Sequence, residues 1–309
     1  MAKRLGERQV ISMRLLQVHR RLPRLNRLLL ASRLRVCYRT RAFRRAGASF
    51  YAIECGEGET EMLCKIDHQQ VFRLRSGIEE YLAVTKATPK ISVFCFGSSA
   101  DLTKAPPGIR IHIENSAIGG VWLSRICCVV IVFARVKSIR KVLLHELTHA
   151  YLHLLTDGFP FLRAVAEGFA RRAEYLVPDE QGDTEWQRTR HWAESTRGQT
   201  YWPDDSVMSV MELLSSETVD GPRWAPSDAL RLTELSFWLN VFLFRLGRQR
   251  PILRSILREI QERDLRAPEN VYAWILDASG LSAEELERRF YQFCTTGELP
   301  DDVMGDAEH

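Results

Sequence analysis

His145, Glu146 and His149 stand in the order His-Glu-Leu-Thr-His, an HExxH motif. Residues i and i+4 of a helix share one face, one turn apart. Two imidazoles so placed can reach a single zinc ion at about 2.0–2.1 Å. Glu146 falls on the adjacent stripe, toward the open side of such a metal. There a carboxylate takes a proton from an activated water and later delivers it to a leaving amine. The pattern points to hydrolysis with one Zn2+ as cofactor and Glu146 as general base. The bland alternative is an ordinary helix carrying two satisfied histidines.

A catalytic zinc needs a third protein ligand and leaves its fourth position to water. Glu167 is the best-placed third ligand, 18 residues after His149 on a second expected helix. The turn Gly158-Phe159-Pro160 would bring that helix back beside the first, and Gly168 would let the two approach closely. Without the HExxH motif, Glu167 would read as a surface carboxylate paired with Arg163 or Arg171. His153 extends the i, i+4 series but lies about 12 Å along the axis from His145, beyond the reach of one ion on a straight helix. Asp157 is too near in sequence to fold back comfortably. His191 is remote and Glu174 is a weaker substitute two turns further on.

Positioning these side chains requires particular elements. Ser138 is the expected N-cap of the motif helix, with Val142, Leu143, Leu144, Leu147 and Leu154 as its apolar stripe and Gly158 and Pro160 as its stop. The longest apolar run, the nine residues Ile126 to Ala134, suits a buried strand at about 127–134 just before that helix. Ile91 to Phe96 and Ile109 to Ile113 read as further strands. Residues 50–67 read as a hairpin turning at Gly56-Glu57-Gly58, and 68–87 as a helix stopped before Pro89. The Glu167 helix is expected over 161–176. Four more helices are expected over 228–247, 251–264, 268–278 and 282–295. Strands come first and helices later, an α+β layout. The expected division is a basic arm (1–48), a catalytic part (49–177), an irregular insertion with one or two short helices (178–227), a helical subdomain (228–296) and an acidic tail (297–309).

The composition sets the bounds. The chain has 309 residues, 45% apolar and 27% charged, ordinary values for a globular protein that exclude collagen-like, coiled-coil and wholly disordered classes. The net charge of +4 hides a split. Residues 1–45 hold 14 Lys/Arg and one acid, Glu7, a net of +13; the remainder holds 29 basic and 38 acidic side chains, a net of −9. The basic arm is a candidate contact for anionic membrane or nucleic acid, although no nucleic-acid motif accompanies it. No run approaches the roughly 18–20 apolar residues of a membrane span, and no secretory leader pattern is present. The seven cysteines are odd in number and include the adjacent pair Cys127-Cys128, with no CxxC. Free thiols in a reducing compartment, the cytoplasm, are expected.

The segment Val142 to Ala150, followed by Ala166-Glu167-Gly168-Phe169-Ala170, resembles the gluzincin metallopeptidases, in particular the bacterial peptidase MA-like group. In that family a proline precedes the third-ligand helix, as Pro160 does here, and a Glu-Gly pair supplies the ligand. Ala164 and Val165 stand where Trp and Leu are usual. The resemblance implies a zincin-like fold: a small mixed or antiparallel sheet, an active-site helix and a mostly helical C-terminal part. It implies that Gly119, Gly120 and Val121, on an edge strand ending in Trp122, bind substrate backbone. Residues 232–247 and Leu281 to Phe293 resemble its later helices. The family also places a Tyr or His near the metal to stabilise the oxyanion, and its long helix often opens with Tyr shortly before a Ser. Here Thr233 and Ser236 hold that register, leaving Tyr175, Tyr201, His191 and Arg231 as candidates. The activity implied is zinc-dependent hydrolysis of peptide bonds in a peptide or protein substrate. The alternative is a zincin-fold module that binds a peptide or protein with little turnover.

Overall fold

The computed structural model describes residues 40–45, 48–53, 68–87, 91–98, 119–124, 127–135, 138–174, 207–216, 226–246 and 252–296. The expected turn at Gly56–Gly58, the strand at 109–113, Tyr175, His191, Tyr201 and the tail at 297–309 lie outside them.

A five-stranded mixed sheet is built from β1 (Thr40–Arg45), β2 (Ala48–Ile53), β3 (Ser92–Phe96), β4 (Gly120–Leu123) and β5 (Cys128–Val132) in the order β1-β2-β3-β5-β4. β2, β3 and β5 run parallel, while the two edges, β1 and β4, pair antiparallel with their neighbours. The sheet is therefore mixed rather than antiparallel. β3 (SVFCF) and β5 (CVVIV) are buried at every residue, as expected of central parallel strands covered on both faces.

The hairpin lies earlier in the chain than expected. β1 and β2 pair over 40–53, so β1 falls inside the segment read as a basic arm. Arg41, Arg44 and Arg45 hide this strand from a reading based on apolar alternation. An edge strand tolerates such charges because they discourage pairing with other chains.

The chain divides into two compact units: Met1–His68 with Pro89–Glu146, and Gln69–Thr88 with Leu147–His309. The first holds the sheet. The second is helical in its described residues, where the expected division had set a boundary at 177.

In the helical unit, α1 (His68–Leu82) buries Val71, Leu74, Ile78 and Leu82, a stripe at helical spacing. It ends at Leu82 rather than 87. Ala83 adopts a positive φ of 49°, and the Ala83 and Val84 amides take up the carbonyls of Glu80 and Glu79. The helix α2 (Ile139–Leu155) follows β5 through a short 3-10 turn, Phe133–Arg135, and the division between the two units falls within it, after Glu146. Next come α3 (Arg163–Ala173), α4 (Val210–Ser215), α5 (Pro226–Arg245), α6 (Ile252–Glu262), α7 (Pro268–Ser279) and α8 (Ala283–Thr296).

α5 is the hub, packing on α3, α4, α6 and α8. Its Phe242 ring lies 5.4 Å from Phe290 and 5.7 Å from Phe293 of α8, and Trp238 lies 5.4 Å from Phe293. Arg172 of α3 is 3% exposed, its guanidinium 4.5 Å from the Phe244 ring centroid and 5.8 Å from that of Tyr81. Cation–π contact offsets part of the cost of burying that charge. α4 is a single capped turn and a half. Ser209 and Glu212 form a capping box, and the Glu287 carboxylate of α8 accepts from the Val210 and Met211 amides at 2.7 and 3.3 Å. Among the described residues, no helix is long and apolar enough to cross a membrane.

Candidate metal centre

α2 carries His145, Glu146 and His149. Leu143, Leu144, Leu147, Ala150, Tyr151, Leu152 and Leu155 along it are buried, and Glu146 is only 6% exposed. A helix apolar on most sides is held by its surroundings rather than by one stripe, so its polar residues are fixed in place. Ser138 does sit at its start, with its Oγ accepting from the Lys141 amide at 3.4 Å.

Past the end of α2, Asp157 and Gly158 adopt positive φ of 57° and 84°, and the Gly158 amide donates to the His153 carbonyl at 2.7 Å. This reversal returns the chain into α3, which carries Glu167. Glu167 Oε1 then lies 3.6 Å from His149 Nε2. One ligand atom from each of His145, His149 and Glu167 falls within 4.8 Å of the other two. Tetrahedral zinc with bonds of about 2.0–2.1 Å sets its ligand atoms about 3.3 Å apart. The observed spacing needs only small rotamer adjustments to reach that. Two imidazole nitrogens and one carboxylate oxygen are also a donor set that a catalytic zinc uses, so these residues fit the ion.

The remaining residues considered above have other placements. The His153 ring packs under Gly158, where a Cβ would stand 3.1 Å from its Cε1. Burial holds its pKa below the ordinary imidazole value. Asp157 pairs with Lys86. Glu174 accepts from Arg171 at 2.6 Å, and Arg171 also holds Glu234 of α5. Arg163 and Arg231 are half-buried on α3 and α5. Glu234 drew no notice in the sequence, where a lone carboxylate 63 residues from its arginine gives no signal.

Gly168 does bring two helices together, but its partner is α5. A Cβ on Gly168 would meet the Ser236 carbonyl oxygen at 2.4 Å and the Asn240 Cβ at 3.1 Å.

In the sheet unit, β4 is an edge strand among the described residues. The Val132 amide donates to the Gly119 carbonyl at 2.9 Å, and Val121 lies opposite Val130. Antiparallel pairs alternate, so Gly119 and Val121 turn their backbone groups toward β5. Gly120 and Trp122 turn theirs outward. Of the three residues expected to bind substrate backbone, Gly120 alone turns its backbone groups away from β5, as Trp122 does. Gly120 lies against Val142 and Glu146 of α2, which puts this edge beside the expected base.

No protein-family model matches the chain, and no curated protein matches it. The resemblance to gluzincins rests on the residues of the site.

Proposed function

We propose that the protein is a zinc-dependent metallohydrolase of the gluzincin type, with a zincin-like fold and peptide bonds as its substrate. The observation that carries this reading is the convergence of His145, His149 and Glu167 from two helices onto one point, with Glu146 between the two histidines in sequence. His145, His149 and Glu167 would hold the ion. Zinc, when bound, supplies a Lewis acid that lowers the pKa of a water toward about 7.

Glu146 is the chain's own proton carrier. Its carboxylate takes the proton from the attacking water and hands it to the leaving nitrogen. Burial on α2 restricts its rotamers and keeps it aimed. The outward N–H and C=O groups of Gly120, beside Glu146, would offer an extended peptide main-chain hydrogen bonds that carry affinity with little regard to side chains. The buried free thiols Cys95, Cys127, Cys128 and Cys294 suit a reducing compartment such as the cytoplasm.

The test is metal analysis together with casein cleavage. The wild type is expected to hold one zinc per chain and Glu167→Ala to lose it. Glu146→Gln is expected to keep zinc and lose cleavage by several orders of magnitude. A zinc-free wild type, or undiminished cleavage by Glu146→Gln, would overturn the proposal. Zinc with no cleavage, and peptide capture that survives Glu146→Gln, would favour a binding module.

A further inference from the structure

We infer that Gly120 is a positioning residue for Glu146: the bare backbone at this point of the edge strand sets where the carboxylate stands. The inference rests on the function proposed above. A Cβ built on Gly120 would come 2.5 Å from Val142 Cγ1, 3.1 Å from Glu146 Cγ and 3.3 Å from Glu146 Oε1. The first of these is closer than carbon atoms approach. The other two fall on the carboxylate-bearing side chain itself.

The clash has few ways to relax. Val142 sits on α2, and a valine in a helix has essentially one χ1 well, so its methyl cannot swing aside cheaply. The backbone of Gly120 is held in the ladder on both sides, through Gly119 to Val132 and through the β4 pairing with β5. Glu146 is 6% exposed and has little free space to enter. Any side chain at 120 therefore displaces either the strand from the helix or the carboxylate from its place. Both move Glu146 relative to the edge whose outward N–H and C=O groups belong to Gly120 and Trp122.

Gly120 acts on Glu146 by being absent above it. A glycine kept only for a turn would show a positive φ, and Gly120 is not among the glycines that do. Its place in a strand, where glycine weakens pairing, marks a close approach instead.

The test uses the full chain and four variants: Gly120→Ala, Val142→Ala, the pair together, and Glu146→Gln. Three readouts are taken: zinc per chain, the urea midpoint, and the affinity of the zinc-loaded protein for acetohydroxamate, a small probe that spans a zinc ion and its neighbouring carboxylate. Gly120→Ala is expected to keep zinc and weaken the probe on the order of tenfold to a hundredfold, the effect of a misplacement near 1 Å. Adding Val142→Ala removes the 2.5 Å contact and is expected to restore most of the affinity and the urea midpoint.

Wild-type probe affinity in Gly120→Ala would overturn the inference while leaving the zinc site standing. So would a lowered urea midpoint with unchanged probe binding, because that is a packing glycine and nothing more. Failure of Val142→Ala to restore either readout would overturn it as well. If the wild type holds no zinc, the proposed function falls and this inference with it, and the urea cycle then reports only the steric coupling of strand and helix.

Discussion

Replacing Gly168 with alanine tests whether the seat of α3 on α5 sets the position of Glu167. The added Cβ would stand 2.4 Å from the Ser236 carbonyl oxygen, and ordinary contact begins at 3.4 Å. That oxygen is backbone and cannot rotate away, so α3 must lift from α5 by about 1 Å. Overpacking of this kind costs about 1–3 kcal/mol of stability. Glu167 is the residue next to Gly168 and moves with it. Metal–ligand distances tolerate about 0.2 Å, several times less than the helix must shift. Rotation about the Glu167 side chain recovers part of the difference, so zinc should bind about 10–100-fold more weakly, as when a supporting contact of a metal ligand is lost. The assay is competition for zinc against a chromophoric chelator, with urea denaturation in parallel. A variant that loses stability but binds zinc as tightly as the wild type would refute the coupling between the α3–α5 seat and the ligand.

Further outcomes follow from the same geometry. Zinc at a hundredfold excess over its dissociation constant should stabilise the wild type by about 2.7 kcal/mol, an increment that chelator removes and that Glu167→Ala never shows in thermal melts. Gly77, inside α1 with nothing within 4 Å of its would-be Cβ, should accept alanine with a gain of up to about 1 kcal/mol. Gly280, equally uncrowded but at a φ of +68° as the C-cap of α7, should lose about 1–2 kcal/mol on the same change. Urea midpoints of opposite sign for the two variants check both. His153 has its pKa lowered by burial from 6.5, so the unfolded chain binds its proton more readily. Its contribution should be intact above pH 6.5 and decline as pH falls from there toward the folded value. Replacing it with glutamine should flatten that limb of the stability–pH curve.

The cluster of His145, His149 and Glu167 was legible because its signal is local. His145 and His149 are fixed by helical spacing alone, and Glu167 needed only a tight reversal, which Gly158 marks. β3 and β5 were legible as short apolar runs, and the later helices as stretches of 3.6 periodicity. β1 was not, because an edge strand rich in arginine carries no apolar alternation. The partner of Gly168 was not legible either. A glycine beside Glu167 announces close approach but not to which helix, and Ser236 is 68 positions away. The pairing of Arg171 with Glu234 and the outward aim of Trp122 depend on three-dimensional register, which no linear spacing encodes.

The cap on α4 ties this short helix to a much later stretch of chain. A six-residue helix cannot persist alone in water. Its first amides are held by Glu287, 77 residues downstream, so α4 can settle only after α8 has left the ribosome. α4 in turn packs on α3 and α5, the two helices that seat Glu167. On a nascent chain the histidine pair of α2 can form early by local folding. Its carboxylate partner Glu167 acquires its final support only once α8 has formed, so the three side chains come together late in folding.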